Sequence, residues 1–222
     1  MQITNRAEIE RNLARLIGRH QQAELRKLLN LLGDPPRIEN VPPEYWENGW
    51  RSLQTQIEPE LINIYMNQAE AMLGTISVGV DWTLINTTAA NWASTYTFDL
   101  VRRLTETTRL GLQQTIPRFY ADGWNLGQLR TTLSRWFSPI RAESIAITET
   151  TRAAVEGEKA LVDLLQKESG LEMIPIWQTN MDERVCPLCG PRHGRPITDG
   201  KFPPIHPRDR CWVTYEFRKG LV

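Results

Sequence analysis

The stretch LINTTAANWASTYTFDLVRRLTETTRLGLQQTI, residues Leu84 to Ile116, holds no glycine before Gly111 and is followed at once by Pro117. Within it Ala93, Tyr96, Leu100, Leu104, Thr108, Leu112 and Ile116 recur at steps of three and four, the spacing that lines one face of an α-helix. One long helix is the economical reading, and the neighbouring segments extend the same pattern. Upstream, Leu13, Leu16, Ile17, Leu25, Leu28, Leu29 and Leu32 predict a helix over residues 6–32, with Asn5 and Glu8 placed as a capping box and Gly33 as the stop. Asp34-Pro35-Pro36 and Val41-Pro42-Pro43 bracket a loop, because proline removes a donor and its predecessor leaves the helical region. A second helix is expected to start near Pro43. Another is expected at Pro59, carrying the stripe Leu61, Ile64, Tyr65, Ala69, Met72 and Leu73 and weakened at its far end by Gly74 and Gly79. Downstream, Asn125 is placed to cap a helix over 125–136, lined by Leu126, Leu129, Leu133 and Trp136, and a last helix covers 139–167.

After Gly170 the pattern changes. Met173-Ile174-Pro175-Ile176-Trp177 is short and apolar, and Cys211-Trp212-Val213-Thr214-Tyr215-Glu216-Phe217 alternates with period two, so two strands are predicted. The fold class is therefore mainly α with a small C-terminal β module, an α+β chain of long helices followed by a zinc-stapled strand-loop-strand. Its segments are an N-terminal helix (1–33), a linker with helices (34–80), a helical body (81–170) and a Cys/His-containing β module (171–222). The loop between the strands is rich in proline and glycine and too long to hold its shape by hydrophobic burial alone.

Composition narrows the function. The 222 residues carry 26 Lys+Arg against 26 Asp+Glu, so no global field draws the chain to nucleic acid or an anionic membrane, and any such contact must be local. Hydrophobic residues at 41% and charged residues at 23% match an ordinary globular chain, which argues against disorder and a disulfide miniprotein. The longest apolar stretch, Met72 to Val80, is far shorter than the ~20 residues of a bilayer helix. The first residues lack the apolar core and cleavage site of a signal peptide, so synthesis and residence in the cytoplasm are expected.

All three cysteines fall in the C-terminal segment, an odd set that fits metal binding better than a disulfide frame. Cys186-Pro187-Leu188-Cys189 places two thiolates at the spacing of a zinc knuckle, Cys211 supplies a third, and His206, four residues clear of Cys211, completes a Cys3His shell. His193, Asp209 or water are the alternatives for the fourth position. A redox role is less favoured, since the pair does not open a helix after a strand. Arg184, Arg192, Arg195, Arg208 and Arg210 form a local basic excess readable as phosphate contacts, although such arginines more often pair with nearby carboxylates. Glu149 and Arg152 read as an i,i+3 surface pair on a helix, and the repeated TETTR at Thr105–Arg109 and Thr148–Arg152 as coincidence or helix-surface chemistry. Of eight tryptophans, Trp92, Trp124, Trp136 and Trp177 fit apolar faces, while Trp46 and Trp50 are candidates for contact with a partner.

The order Ile145-Ala146-Ile147-Thr148-Glu149, Trp177-Gln178-Thr179, Asp182-Glu183-Arg184-Val185-Cys186-Pro187-Leu188-Cys189, Gly194, Pro203-Pro204-Ile205-His206-Pro207 and Arg210-Cys211 resembles the phage Mu F-like head morphogenesis, or minor capsid, family. The likeness covers roughly residues 85–217 and is specific from Arg141 onward. The family pattern usually ends in HPRCRC, whereas Asp209 here replaces one customary cysteine. The resemblance implies a tailed-phage or prophage protein bound to the portal and other capsid components inside the head, present in few copies and found in the host cytoplasm during assembly. It would act in capsid assembly, DNA packaging or ejection, touching phage DNA at most locally, with no membrane and no small-molecule substrate. A non-enzymatic assembly protein with a structural zinc is therefore expected. The rivals are a zinc-dependent nuclease or hydrolase on the same Cys and His residues, and a DNA-binding zinc module.

Overall fold

A computed structural model of the chain describes residues 2–74, 80–170, 172–182 and 185–218. The elements run α1 (Arg6–Leu32), α2 (Pro43–Leu73), α3 (Trp82–Ala121), α4 (Leu126–Ser134), α5 (Pro139–Ser169), β1 (Met173–Gln178) and β2 (Trp212–Phe217), with single 3-10 turns at Ile38–Asn40, Arg135–Phe137 and Gly190–Arg192. The chain is mainly α, with one two-stranded antiparallel sheet among the described residues, as its periodicities predict. Among the described residues no helix is long and apolar enough to cross a membrane. Gly79, expected to weaken a helix end, and Arg184, expected as a phosphate contact, lie outside the described residues.

Three local expectations are corrected. Helices do not restart at Pro59: α2 runs through it from Pro43 to Leu73. Proline there forfeits one main-chain hydrogen bond, but Leu53, Ile57, Leu61 and Ile64 continue one buried stripe across it, and that burial outweighs the local penalty. α3 likewise carries Pro117 inside its last turns. At the start of α1, Asn5 adopts φ 53°, and its main-chain carbonyl accepts from Glu8 and Ile9 N–H at 2.9 and 3.2 Å. That left-handed backbone differs from the extended one a capping box requires. The capping box appears instead at α4, where Asn125 and Gln128 exchange side-chain and backbone bonds of 2.9 and 2.8 Å.

The chain folds into two compact units that interleave in sequence: Met1–Glu10, Glu60–Trp92 and Ile147–Val222 form one, and Arg11–Pro59 with Ala93–Ala146 the other. The core of the first joins Tyr65, Ala69 and Met72 of α2, Ile85 and Ala89 of α3, Leu161, Val162 and Leu165 of α5 and Met173 of β1. Gly157 of α5 lies against the backbone of Tyr65, and a Cβ at that position would collide with the Tyr65 carbonyl. Next to it the buried Gln68 amide donates to Glu158 Oε1 at 2.7 Å, and burial raises the Glu158 carboxyl above its ordinary range. The second unit's core combines Leu25, Leu28 and Leu32 of α1, Leu112 and Ile116 of α3, Leu129 and Leu133 of α4, and Phe137.

The β module belongs to the first unit. β1 and β2 pair from Met173↔Phe217 to Gln178↔Trp212, which brings Cys211 beside the end of β1. The other edge of β1 is also used: Trp177 N donates to Arg195 O at 2.9 Å, Gly194 N to Trp177 O at 2.8 Å and Ile197 N to Pro175 O at 2.8 Å. Trp177, 1% exposed, packs with Cys189 and Cys211 under Val185, Ile197 and Ile205. The long loop is thus held by main-chain pairing, by a small aromatic core and by the polar contacts of the cysteine cluster.

Candidate metal centre

The site is assembled on a tight knuckle. Cys189 N and Gly190 N both donate to Cys186 O, at 3.1 and 3.0 Å, and Cys189 N also points at Cys186 Sγ at 3.4 Å. Such a turn directs both thiols of a Cys-x-x-Cys pair to one side, the arrangement a zinc knuckle needs. From the far end of the loop, His206 Nε2 approaches to 3.1 Å from Cys186 Sγ and 3.1 Å from Cys189 Sγ. His206 Nδ1 lies 2.9 Å from Pro207 O. A carbonyl only accepts, so Nδ1 carries the proton, and whenever the ring is neutral its Nε2 lone pair faces the two sulfurs.

The ligand atoms of Cys186, Cys189 and His206 lie within 4.8 Å of one another, and so do those of Cys189, Asp209 and Cys211. Two overlapping triads share Cys189, and between them they hold all four residues of the expected Cys3His shell together with the alternate Asp209. Tetrahedral bonds of ~2.3 Å to sulfur place zinc ligands about 3.8 Å apart, so His206 Nε2, at 3.1 Å from each sulfur, need only draw back slightly for one ion to sit among the three donors. Two thiols and an imidazole are the soft donor set that favours zinc over magnesium or calcium. The residues present fit a metal ion.

The electrostatics separate the thiols. Burial opposes ionisation of Cys186, but N–H groups aimed at its sulfur outweigh it and hold the thiol below its ordinary value. Burial pushes Cys189 far up, and burial together with the Asp209 carboxylate pushes Cys211 up to about 11. Burial works against the His206 cation, while the Pro207 carbonyl and the Asp209 charge favour it and raise the imidazole on balance.

Asp209 is 1% exposed, and both its oxygens accept main-chain donors: Oδ2 from Ile205 N at 3.0 Å and Oδ1 from Cys211 N at 2.9 Å. It clamps the loop on either side of His206 and also belongs to the second triad. His193, the other alternate, belongs to neither triad; its Nδ1 accepts from Thr179 N at 3.2 Å.

The loop is docked on α5 by residues whose part in it no local pattern gave. Thr148 Oγ1 accepts from Arg208 N at 2.9 Å, and Thr151 Oγ1 donates to Asp209 O at 2.6 Å. Arg6 of α1 donates to Thr151 Oγ1 and to Arg210 O, the latter at 3.0 Å. The buried Glu10 carboxylate accepts from Arg6 Nε at 2.7 Å and from Arg210 Nη2 at 2.7 Å, and these arginines outweigh its burial and keep it below the ordinary carboxylate range. The sequence signal closest to this docking was the second TETTR, two of whose threonines serve the loop. Glu149 in the same segment is 5% exposed and faces Arg152 Nε at 3.4 Å, so the expected surface pair is half inside the protein.

Two of the five arginines of the basic excess are paired with carboxylates. Arg192 pairs with Asp199 at 2.8 Å and lies 5.2 Å over the Trp177 ring, and Arg210 pairs with Glu10. Compared with known proteins, the chain matches no family model, no curated protein and no solved structure.

Proposed function

We propose that this chain is a head-morphogenesis, or minor capsid, protein of a tailed phage or prophage, which docks on the portal and carries a C-terminal module stapled by zinc. The observation that supports this reading is the meeting of Cys186, Cys189 and His206 at one point, since the residues that carry the family resemblance are also those that gather there. Zinc held by these side chains would fix a loop whose own apolar core is small, and the role is structural rather than catalytic. The expected outcome is about one zinc per chain in protein purified without chelator, together with co-purification of the cognate portal on co-expression. Metal-free protein with three freely titratable thiols, or a portal that never co-purifies, would contradict it.

A zinc-dependent nuclease is the second reading. It is favoured by the first triad having three members, because a catalytic zinc keeps an open fourth position. Plasmid cleavage that needs zinc and disappears in Cys186→Ser would promote it over the assembly role.

A further inference from the structure

Away from the cysteines, the second unit contains a pocket of about 540 Å³ between the end of α3, α4 and the start of α5. Three arginines line it: Arg118 from the last turns of α3, Arg135 from the turn after α4, and Arg141 from the first turn of α5. None of the described lining residues is acidic. The arginines themselves have no carboxylate partner among the described residues. Arg141 donates to Thr108 Oγ1 at 3.0 Å, to Leu104 O at 3.3 Å and to Trp136 O, all neutral acceptors. A half-buried guanidinium satisfied only by neutral groups keeps its charge available, and burial lowers its proton affinity. Three uncompensated cations around one concavity, in a chain whose net charge is zero, constitute an anion site.

The pocket also has aromatic walls. Trp124 and Trp136 line it, and Ile140 stands at its rim 73% exposed. Trp136 is held rigidly: Arg141 lies 5.9 Å from its ring centroid, and a Cβ added at Gly111 would collide with the indole. Inorganic anions gain nothing from indole faces, whereas a base gains affinity by stacking on an aromatic side chain. Arginines for phosphate beside tryptophans for a ring are the two halves of single-nucleotide recognition.

We infer that this pocket binds a nucleoside phosphate, free or as one unit of a single strand, with Arg118, Arg135 and Arg141 on the phosphate and Trp124 against the base. This site is separate from the metal centre and does not depend on the head-protein reading.

Isothermal titration calorimetry of the full chain with inorganic phosphate, dTMP and a ten-nucleotide oligo-dT tests it. The expected result is dTMP binding at least tenfold tighter than phosphate. Arg118→Gln combined with Arg135→Gln should weaken dTMP at least tenfold with the helical circular dichroism unchanged, since both side chains are exposed. Trp124→Ala should bring dTMP down to the affinity of phosphate. Oligo-dT binding tenfold or more above dTMP assigns the source as a single strand, and equal binding assigns the free nucleotide. Equal affinity for phosphate and dTMP, no measurable binding of either, or a double variant that binds like the wild type would overturn the proposal.

Discussion

At Glu10, one carboxylate joins segments 200 residues apart in sequence: it receives Arg6 from its own helix and Arg210 from the metal loop. Because folding holds this carboxyl below its ordinary value near 4.5, its stabilising contribution is complete above pH 4.5 and fades as pH falls below that value. Glu10→Gln should therefore lower Tm at pH 7, and the gap to wild type should narrow below about pH 4, where an ordinary carboxyl takes up its proton. Thermal unfolding of both proteins across that range checks it; a gap that stays constant with pH would mean that the charge contributes nothing. Arg208 supplies a second residue-scale device. Its φ of 63° lies in the left-handed region, which a non-glycine residue enters at a cost, and its N–H is fastened to Thr148 Oγ1. The turn between His206 and Asp209 is thereby held by α5 and not by the loop alone.

At the scale of elements, α2 shows a local rule losing to a longer-range one. Pro59 is exposed and breaks the main-chain ladder in mid-helix, so Pro59→Ala should restore a hydrogen bond and stabilise the protein by about 1–3 kcal/mol. Chemical denaturation would measure the gain, and a loss of stability would show that the proline is needed to shape the helix. The same contest explains what could be read from the residues in advance. α1, α3 and α5 were legible because each carries an unbroken apolar period over many turns, and the two strands because a short apolar run after Gly170 and an alternating run from Cys211 leave the helical period. The Cys186–Cys189 knuckle was legible because its chemistry is encoded in a spacing of three. Thr148, Thr151, Arg6 and Glu10 were not, since their role exists only once α1 and α5 bring distant segments to one loop. The arginine pocket was equally invisible: Arg118, Arg135 and Arg141 carry no common motif and meet only through the folding of three helices.

For the whole molecule, two interleaved units with separate cores imply that disturbing one loop need not melt the helices. Cys186→Ser, or a strong chelator added to zinc-loaded protein, should open residues 185–211 to proteolysis while the far-ultraviolet helical signal stays within about 10% of its starting value, as expected for a sub-global opening. Global loss of helix in either experiment would show that the loop is integral to the helical core.

The register of the sheet carries a mechanical consequence. Met173 and Phe217 pair at one end, where Arg218 N donates to Glu172 O at 2.9 Å and the Arg218 side chain holds the Glu172 carboxylate, while Gln178 and Trp212 pair at the other end beside Cys211. A tether pulling on residue 218 against α5 loads the ladder as a zip, so its hydrogen bonds break in succession from the Arg218 end. The force reaches Cys211 only after all six pairs have opened. The cysteine cluster is thus the last region of the module to feel a load applied from that side, and Arg218 with Glu172 is the catch that must release first.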